Sequence, residues 1–258
     1  MGEKLNQLVQ FLNGGEKYMR LDKFLAETGV GSRKEAKQLL KKGLVTVNGQ
    51  VIKEAKTQVD EVQDIIVFSG EELTYQEYYY YMLHKPQGVI SATEDKWDQT
   101  VVDLLKDEDY REDLFPVGRL DKDTEGLLLL TNDGQLAHQL LSPKKHVDKE
   151  YFAIVQGIVT TNDIRQFTTG FALTNKELVK PSELMIDSVN EEEEQSEIRL
   201  IIQEGKFHQV KRMFEAVGKK VIYLKRLRMG NLWLDEELEL GEYRALTEKE
   251  LDGLKMNK

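Results

Sequence analysis

Val117-Gly118-Arg119-Leu120-Asp121-Lys122-Asp123-Thr124-Glu125-Gly126-Leu127-Leu128-Leu129-Leu130 is the stretch from which the rest of the chain can be read. The four leucines after Gly126 form a short apolar run that suits a buried strand. Ahead of them, Gly118 and Gly126 bound a polar loop, which residues 115–120 lead into. Within that loop the Asp121 carboxylate lies between Arg119 and Lys122. Neighbouring cations favour the ionised form that a nucleophile requires. Spacing alone favours a plainer reading, a turn aspartate bonded to backbone amides.

Downstream, Asn132-Asp133-Gly134 turns the chain into a helix over 135–141, and strands follow at 151–156, 198–203 and 221–227. Helices are expected over 209–217 and 247–254, and a short one over 100–105. Upstream, 78–83 reads as a strand that ends in the turn Pro86-Gln87-Gly88. Strands and helices mix without regular β-α-β spacing, so the fold class is α+β with a largely antiparallel sheet. The acidic run 191–194 reads as a solvated hairpin loop.

The first third has a different character. Leu21, Phe24 and Leu25 fall at i, i+3, i+4, a short amphipathic helix. Ser32 and Glu35 form a capping-box pattern that starts a second helix near Arg33, with Ala36, Leu39 and Leu40 as its apolar stripe. Lys34, Lys37 and Lys41 recur on another face. Residues 44–47 read as a strand and Asn48-Gly49 as a tight hairpin turn. The expected organisation is an extension over 1–18, a small α-α-β domain over 19–69, a polar linker over 70–77 and a larger domain over 78–258.

Composition narrows the function. The chain has 258 residues and no cysteine, which excludes disulfides, cysteine zinc sites and thiol catalysis. Its apolar runs are far too short to span a membrane. The N-terminal stretch lacks the apolar core of a signal peptide, so a cytoplasmic location is expected. The four histidines His84, His138, His146 and His208 show no metal-ligand spacing. Phosphate-loop, dinucleotide-binding and serine-elbow patterns are all missing from the sequence. Net charge is −10, which by itself disfavours a nucleic-acid partner. The distribution points the other way: residues 17–60 carry +5 and residues 205–228 carry +7, two basic islands in an acidic chain.

Two further segments carry candidate chemistry. In Glu204-Gly205-Lys206-Phe207-His208-Gln209-Val210-Lys211-Arg212-Met213 a strand gives way to a helix whose first turn and cations could hold phosphate. A basic helix face is the plainer reading. In Lys149-Glu150-Tyr151 a strand would point Lys149 and Tyr151 to one side, where an aromatic beside a cation could stack a base. A half-buried sheet tyrosine is the commoner case.

Taken together, these segments resemble one family. Gly118-Arg119-Leu120-Asp121 with Thr124 and Gly126-Leu127 is similar to the signature of pseudouridine synthases of the RsuA type. Lys149-Glu150-Tyr151 resembles that family's second motif, and the segment 204–213 its third. Arg20-Leu21-Asp22-Lys23-Phe24-Leu25, with Ser32-Arg33 and Val45-Thr46-Val47-Asn48-Gly49, resembles the S4-like RNA-binding module these enzymes carry in front. Tyr81-Met82-Leu83-His84-Lys85-Pro86-Gln87-Gly88, Ser142-Pro143-Lys144-Lys145-His146 and Leu178-Val179-Lys180-Pro181 look more like the branch acting on small-subunit ribosomal RNA than the large-subunit branches. Two departures stand out. Residues 1–18 have no counterpart, and Lys211 stands where relatives often carry arginine, which keeps the cation but not the bidentate fork.

The resemblance implies isomerisation of uridine to pseudouridine in ribosomal RNA, without redox cofactor or metal. The N-glycosidic bond breaks, the uracil turns, and its carbon 5 bonds to the ribose. Asp121 is then the catalytic carboxylate; attack on the sugar, attack on the base and abstraction of a ribose proton all use its ionised form. Lys211 would hold its charge, and Tyr151 would stack on the flipped uracil. Arg119, Leu200, Ile202, Lys149, His208 and Arg212 are the expected substrate contacts. Arg20, Arg33, Lys34, Lys37 and Lys41 are the expected RNA contacts of the front domain. A monomer acting on a small-subunit assembly intermediate is the expected setting. A non-catalytic assembly factor and a uracil-releasing glycosylase are the alternatives.

Overall fold

The computed structural model describes residues 18–256, which divide into two compact units at the boundary between residues 77 and 78. The extension expected over 1–18 lies outside the described residues except for Tyr18, which opens the first strand.

The first unit runs β1 (Tyr18–Arg20), α1 (Leu21–Glu27), α2 (Arg33–Lys41), β2 (Val45–Val47), β3 (Gln50–Val51), β4 (Gln58–Asp60), β5 (Ile66–Phe68) and β6 (Glu71–Leu73). The capping box expected before α2 is present. Glu35 N donates to Ser32 Oγ at 3.3 Å, and Ser32 N donates to Glu35 Oε2 at 2.8 Å. Leu21, Phe24, Leu25, Ala36 and Leu40 close on Val45, Val59 and Ile66 to form this unit's core. Asn48 and Gly49 take φ values of 50° and 79°, the left-handed pair that a two-residue hairpin turn requires. The polar stretch read as a linker contains more structure than that. Ser69 and Gly70 repeat the turn geometry at 51° and 94°, and fold β6 back onto β5 with Phe68 facing Glu71. Only Leu73 of that strand is partly buried, so it leaves no apolar alternation in the sequence.

The second unit runs β7 (Tyr80–Lys85), a 3-10 turn (Val102–Leu104), β8 (Phe115–Pro116), β9 (Glu125–Thr131), α3 (Gly134–Leu141), β10 (Lys149–Gln156), α4 (Thr161–Thr169), β11 (Glu183–Asn190), β12 (Gln195–Ile202), α5 (Gln209–Ala216), β13 (Lys220–Met229), β14 (Leu232–Trp233), β15 (Tyr243–Ala245) and α6 (Glu248–Lys255). The helix expected over 100–105 is only that single 3-10 turn, with the Asp103 carboxylate accepting from Thr100 N at 2.7 Å. The sheet order is β11-β12-β10-β13-β9-β7-β15, with β14 on β13 and β8 on β9. Every strand pairing within it is antiparallel except β13 with β9.

The leucine run explains the layering. Successive side chains of a strand point to opposite faces. Leu128 and Leu130 join one core with Tyr151, Leu200, Phe167, Met213 and Phe214, which brings in α4 and α5. Leu127 and Leu129 join the other with Met82, Leu136, Leu140 and Leu254, which brings in α3 and α6. A four-residue apolar run is therefore a strand covered on both faces. The residue just before the run must be glycine: a Cβ on Gly126, at φ 108°, would lie 2.2 Å from Arg226 O on β13. That close parallel approach seats the Asp121 loop against β13.

Candidate active site

Residues 117–124 connect β8 to β9, and their backbone is held from several sides. Ser91 Oγ donates to Leu120 O at 2.9 Å and accepts from Leu120 N at 3.0 Å. Gly88 N donates to Lys122 O at 2.7 Å, and Thr124 N donates to Asp121 O at 3.0 Å. The strongest anchor is Lys85, at the end of β7. Its ammonium is wholly buried and donates to the carbonyls of Pro86 (2.9 Å), Asp121 (3.1 Å) and Thr124 (2.9 Å). Burial pushes its pKa down to about 8.

The Asp121 carboxylate faces the start of α5. Lys211 Nζ donates to Asp121 Oδ2 at 3.1 Å and to Asp123 Oδ1 at 2.6 Å. Burial disfavours the Lys211 ammonium, but the bonds to Asp123 and Asp121 outweigh it and raise its pKa. The same bond holds Asp123 below the usual carboxylate range. Lys211 therefore stays charged at neutral pH. His208 Nε2 lies 3.5 Å from Asp121 Oδ1.

Asp121, Lys211 and His208 line an open cleft together with Arg119, Thr124, Tyr151, Ile202, Lys206, Val210 and Leu224. One wall is apolar (Ile202, Val210, Leu224) and carries the ring of Tyr151, which is 7% exposed. The lining also carries the charged side chains of Arg119, Asp121, Lys206 and Lys211. The Thr124 hydroxyl is buried and has no hydrogen-bond partner among the described residues.

The structure thus brings together Asp121, Tyr151, Lys211, Arg119, Ile202 and His208. Arg119 is exposed, and no ion pair among the described residues engages it. Three expected contacts lie elsewhere. Leu200 is fully buried in the core beneath the cleft. Lys149 shares a strand face with Tyr151, but the two-residue step of about 6.7 Å carries it past the cleft. Its Nζ donates to Val147 O at 3.1 Å, and burial, with Arg226 nearby, pushes its pKa down to about 8. Arg212 is held by Glu177 at 2.7 Å and by Phe207 O at 3.1 Å, so it braces the loop before α5. In the first unit, Arg33, Lys34, Lys37 and Lys41 are exposed, whereas Arg20 forks onto buried Asp22 at 3.0 and 2.7 Å. Sequence reading gave Lys85, Asp123 and Thr124 no role. Lys85 bonds only backbone carbonyls, so no side-chain pairing pattern marks it.

The sequence profile described as RNA pseudouridylate synthase matches residues 79–216, and the S4 domain profile matches residues 19–66. The chain is 53% identical over 237 residues to the RNA pseudouridine synthase YtzG of Bacillus subtilis (strain 168), covering 90% of this chain and 97% of that one. It is 45% identical over 234 residues to ribosomal small subunit pseudouridine synthase A of Vibrio cholerae, covering 90% and 98%. A crystal structure of a pseudouridylate synthase superposes with a TM-score of 0.63 at 39% identity, covering 92% of this chain and 99% of that one.

Proposed function

The chain belongs to the RNA pseudouridylate synthase family and carries an S4 domain, and from that premise we propose that it isomerises a uridine of small-subunit ribosomal RNA to pseudouridine, with Asp121 as the catalytic carboxylate. The observation that carries the reading is the meeting of Asp121, Lys211 and Tyr151 in one cleft, contributed by three segments far apart in sequence.

The chemistry needs no electron or phosphoryl transfer. It needs a charged carboxylate at the ribose–uracil bond and a closed place for the detached base to turn. Lys211 sets a positive charge against the Asp121 carboxylate, and its second bond to Asp123 fixes the ammonium while Asp121 reacts. Tyr151 and the apolar wall hold the uracil by one face and leave it free to rotate in plane. Arg119, free at the rim, takes up the RNA beside the extruded nucleotide. Extrusion costs a few kcal/mol, least for an unpaired base. Backbone contacts must offset that cost. We assign them to Arg33, Lys34, Lys37 and Lys41, whose charges anchor RNA without reading bases. Arg20 orders its own unit through Asp22 instead. The enzyme is proposed to act in the cytoplasm as a monomer, on an assembly intermediate in which the uridine is still exposed.

The test is tritium release from small-subunit RNA labelled at uridine carbon 5, bare and with its early-binding proteins, with the modified position mapped. Stoichiometric release at one uridine supports the reading. Release from large-subunit RNA alone would reassign the substrate. Tight binding without release from either RNA would make the protein an assembly factor, and free uracil would make it a glycosylase. A second expectation concerns the front unit. Lys34→Glu with Lys41→Glu should weaken RNA binding about tenfold or more at 0.15 M salt and flatten the salt dependence, because each lost phosphate contact removes roughly 0.7–0.9 from the log–log slope. Turnover at saturating RNA should not change. A fall in that turnover would place these lysines in the chemistry and overturn the anchoring role.

A further inference from the structure

Phe207 is a large apolar side chain that the fold leaves 66% exposed. Its ring lies parallel to that of His208, with centroids 3.8 Å apart and an interplanar angle of 18°. The His208 imidazole in turn lies 3.5 Å from the Asp121 carboxylate. A two-ring stack therefore runs from the catalytic group outward to solvent.

The backbone is arranged to hold this stack. His208 adopts φ 47°, ψ 36°, a left-handed conformation uncommon for a residue with a side chain, and one that persists only where the surroundings impose it. Here they do. Lys206 N donates to Gln209 Oε1 at 2.9 Å, Gln209 Nε2 donates to buried Glu204 Oε1 at 2.7 Å, and Arg212 Nη1 donates to Phe207 O at 3.1 Å. The loop is a rigid bracket that points an aromatic ring at water.

We propose that the Phe207–His208 stack is a platform for the base next to the target uridine in the RNA strand. This rests on the reading of the cleft as a uridine site. When the target leaves its stack for the cleft, its neighbour loses a stacking partner. Phe207 supplies the replacement face, at the mouth of the cleft where that neighbour must pass. Every base has a π-face, so the platform recognises an unpaired nucleobase as a class rather than one sequence. It favours targets in single-stranded or loop RNA, where the neighbour is free to re-stack.

The test is a cycle between side chain and base. On the RNA and at the uridine that wild type modifies, Phe207→Ala should lower kcat/KM by about 5- to 100-fold, the range of one base–aromatic stack. Phe207→Tyr should keep wild-type rates, and the thermal unfolding of both variants should match wild type. The same RNA is then made with an abasic residue immediately 5′, and separately immediately 3′, of the target. On one of the two, wild type should itself fall to the Phe207→Ala rate, and the substitution should cost nothing more. An undiminished Phe207→Ala penalty on both abasic RNAs, or no penalty on intact RNA, overturns the platform while leaving the uridine site intact. Absence of any carbon-5 tritium release by wild type would overturn the uridine site itself, and the platform with it.

Discussion

Asp121→Asn is expected to lower pseudouridine formation by about 10⁴-fold or more while leaving RNA affinity within about twofold of wild type. The size follows if, as proposed, Asp121 acts on the reacting bond rather than positioning it. The selectivity follows from the surroundings. Asparagine has the shape of aspartate, and the Asp121 side chain is 28% exposed, so the exchange neither opens a cavity nor buries a new polar group. Lys211 keeps its bond to Asp123 at 2.6 Å, so no cation is stranded. The lysines of α2 belong to the other unit and are untouched. Rate and affinity should therefore separate. Single-turnover rates and filter binding on the same RNA check both halves. If the substitution weakens binding as much as Lys34→Glu does, Asp121 is an RNA-binding residue and the catalytic assignment fails.

What sequence could and could not reveal follows the reach of the interactions involved. The Ser32–Glu35 capping box and the Asn48-Gly49 turn are closed within four residues, and both were legible. The helix α4 was not. Its residues Thr161–Thr169 include only Ile164 and Phe167 as apolar anchors among β-branched threonines, and Phe167 is held by rings of Phe171 and Phe214 at 5.1 Å each. Its one local signal is the Thr160–Asp163 capping box, with Thr160 N donating to Asp163 Oδ2 at 2.7 Å, which the sequence reading passes over; tertiary packing supplies the rest. The three-residue strand β15 owes its existence to the neighbouring β7 in the same way. At the site, the pairing of Asp121 with Lys211 spans 90 positions and was accessible only because each lies in a segment resembling a family motif. Lys149 lies in such a segment too, and there the strand's geometry sends it into the protein instead of the cleft.

Lys85 is the clearest case of a residue whose importance appears only in three dimensions, and Lys85→Met should show it. Methionine matches the length of the stem but gives Pro86 O, Asp121 O and Thr124 O no donor. These carbonyls fix the backbone around Asp121, the residue proposed to perform the reaction. Loosening it by a fraction of an ångström to 1 Å should lower kcat by about 100-fold, with KM little changed. Stability should respond less, and with a definite pH signature. Burial holds the folded Lys85 pKa near 8, below the roughly 10.4 of an unfolded lysine. Between those values the unfolded chain binds a proton that the folded chain lacks, so wild-type stability gains from this group as pH rises from 8 to 10. Below pH 8 both forms are protonated and the full cost of burying the charge remains. The variant has no such term. Relative to wild type it should be at its most stable near pH 7, where relief of the burial cost offsets the three lost bonds, and should fall behind by pH 10. Denaturant unfolding of both proteins at pH 7 and pH 10, beside kcat at pH 7, makes the comparison. A kcat within threefold of wild type would mean that the Asp121 loop holds its geometry without the ammonium, and that Lys85 serves the sheet rather than the site.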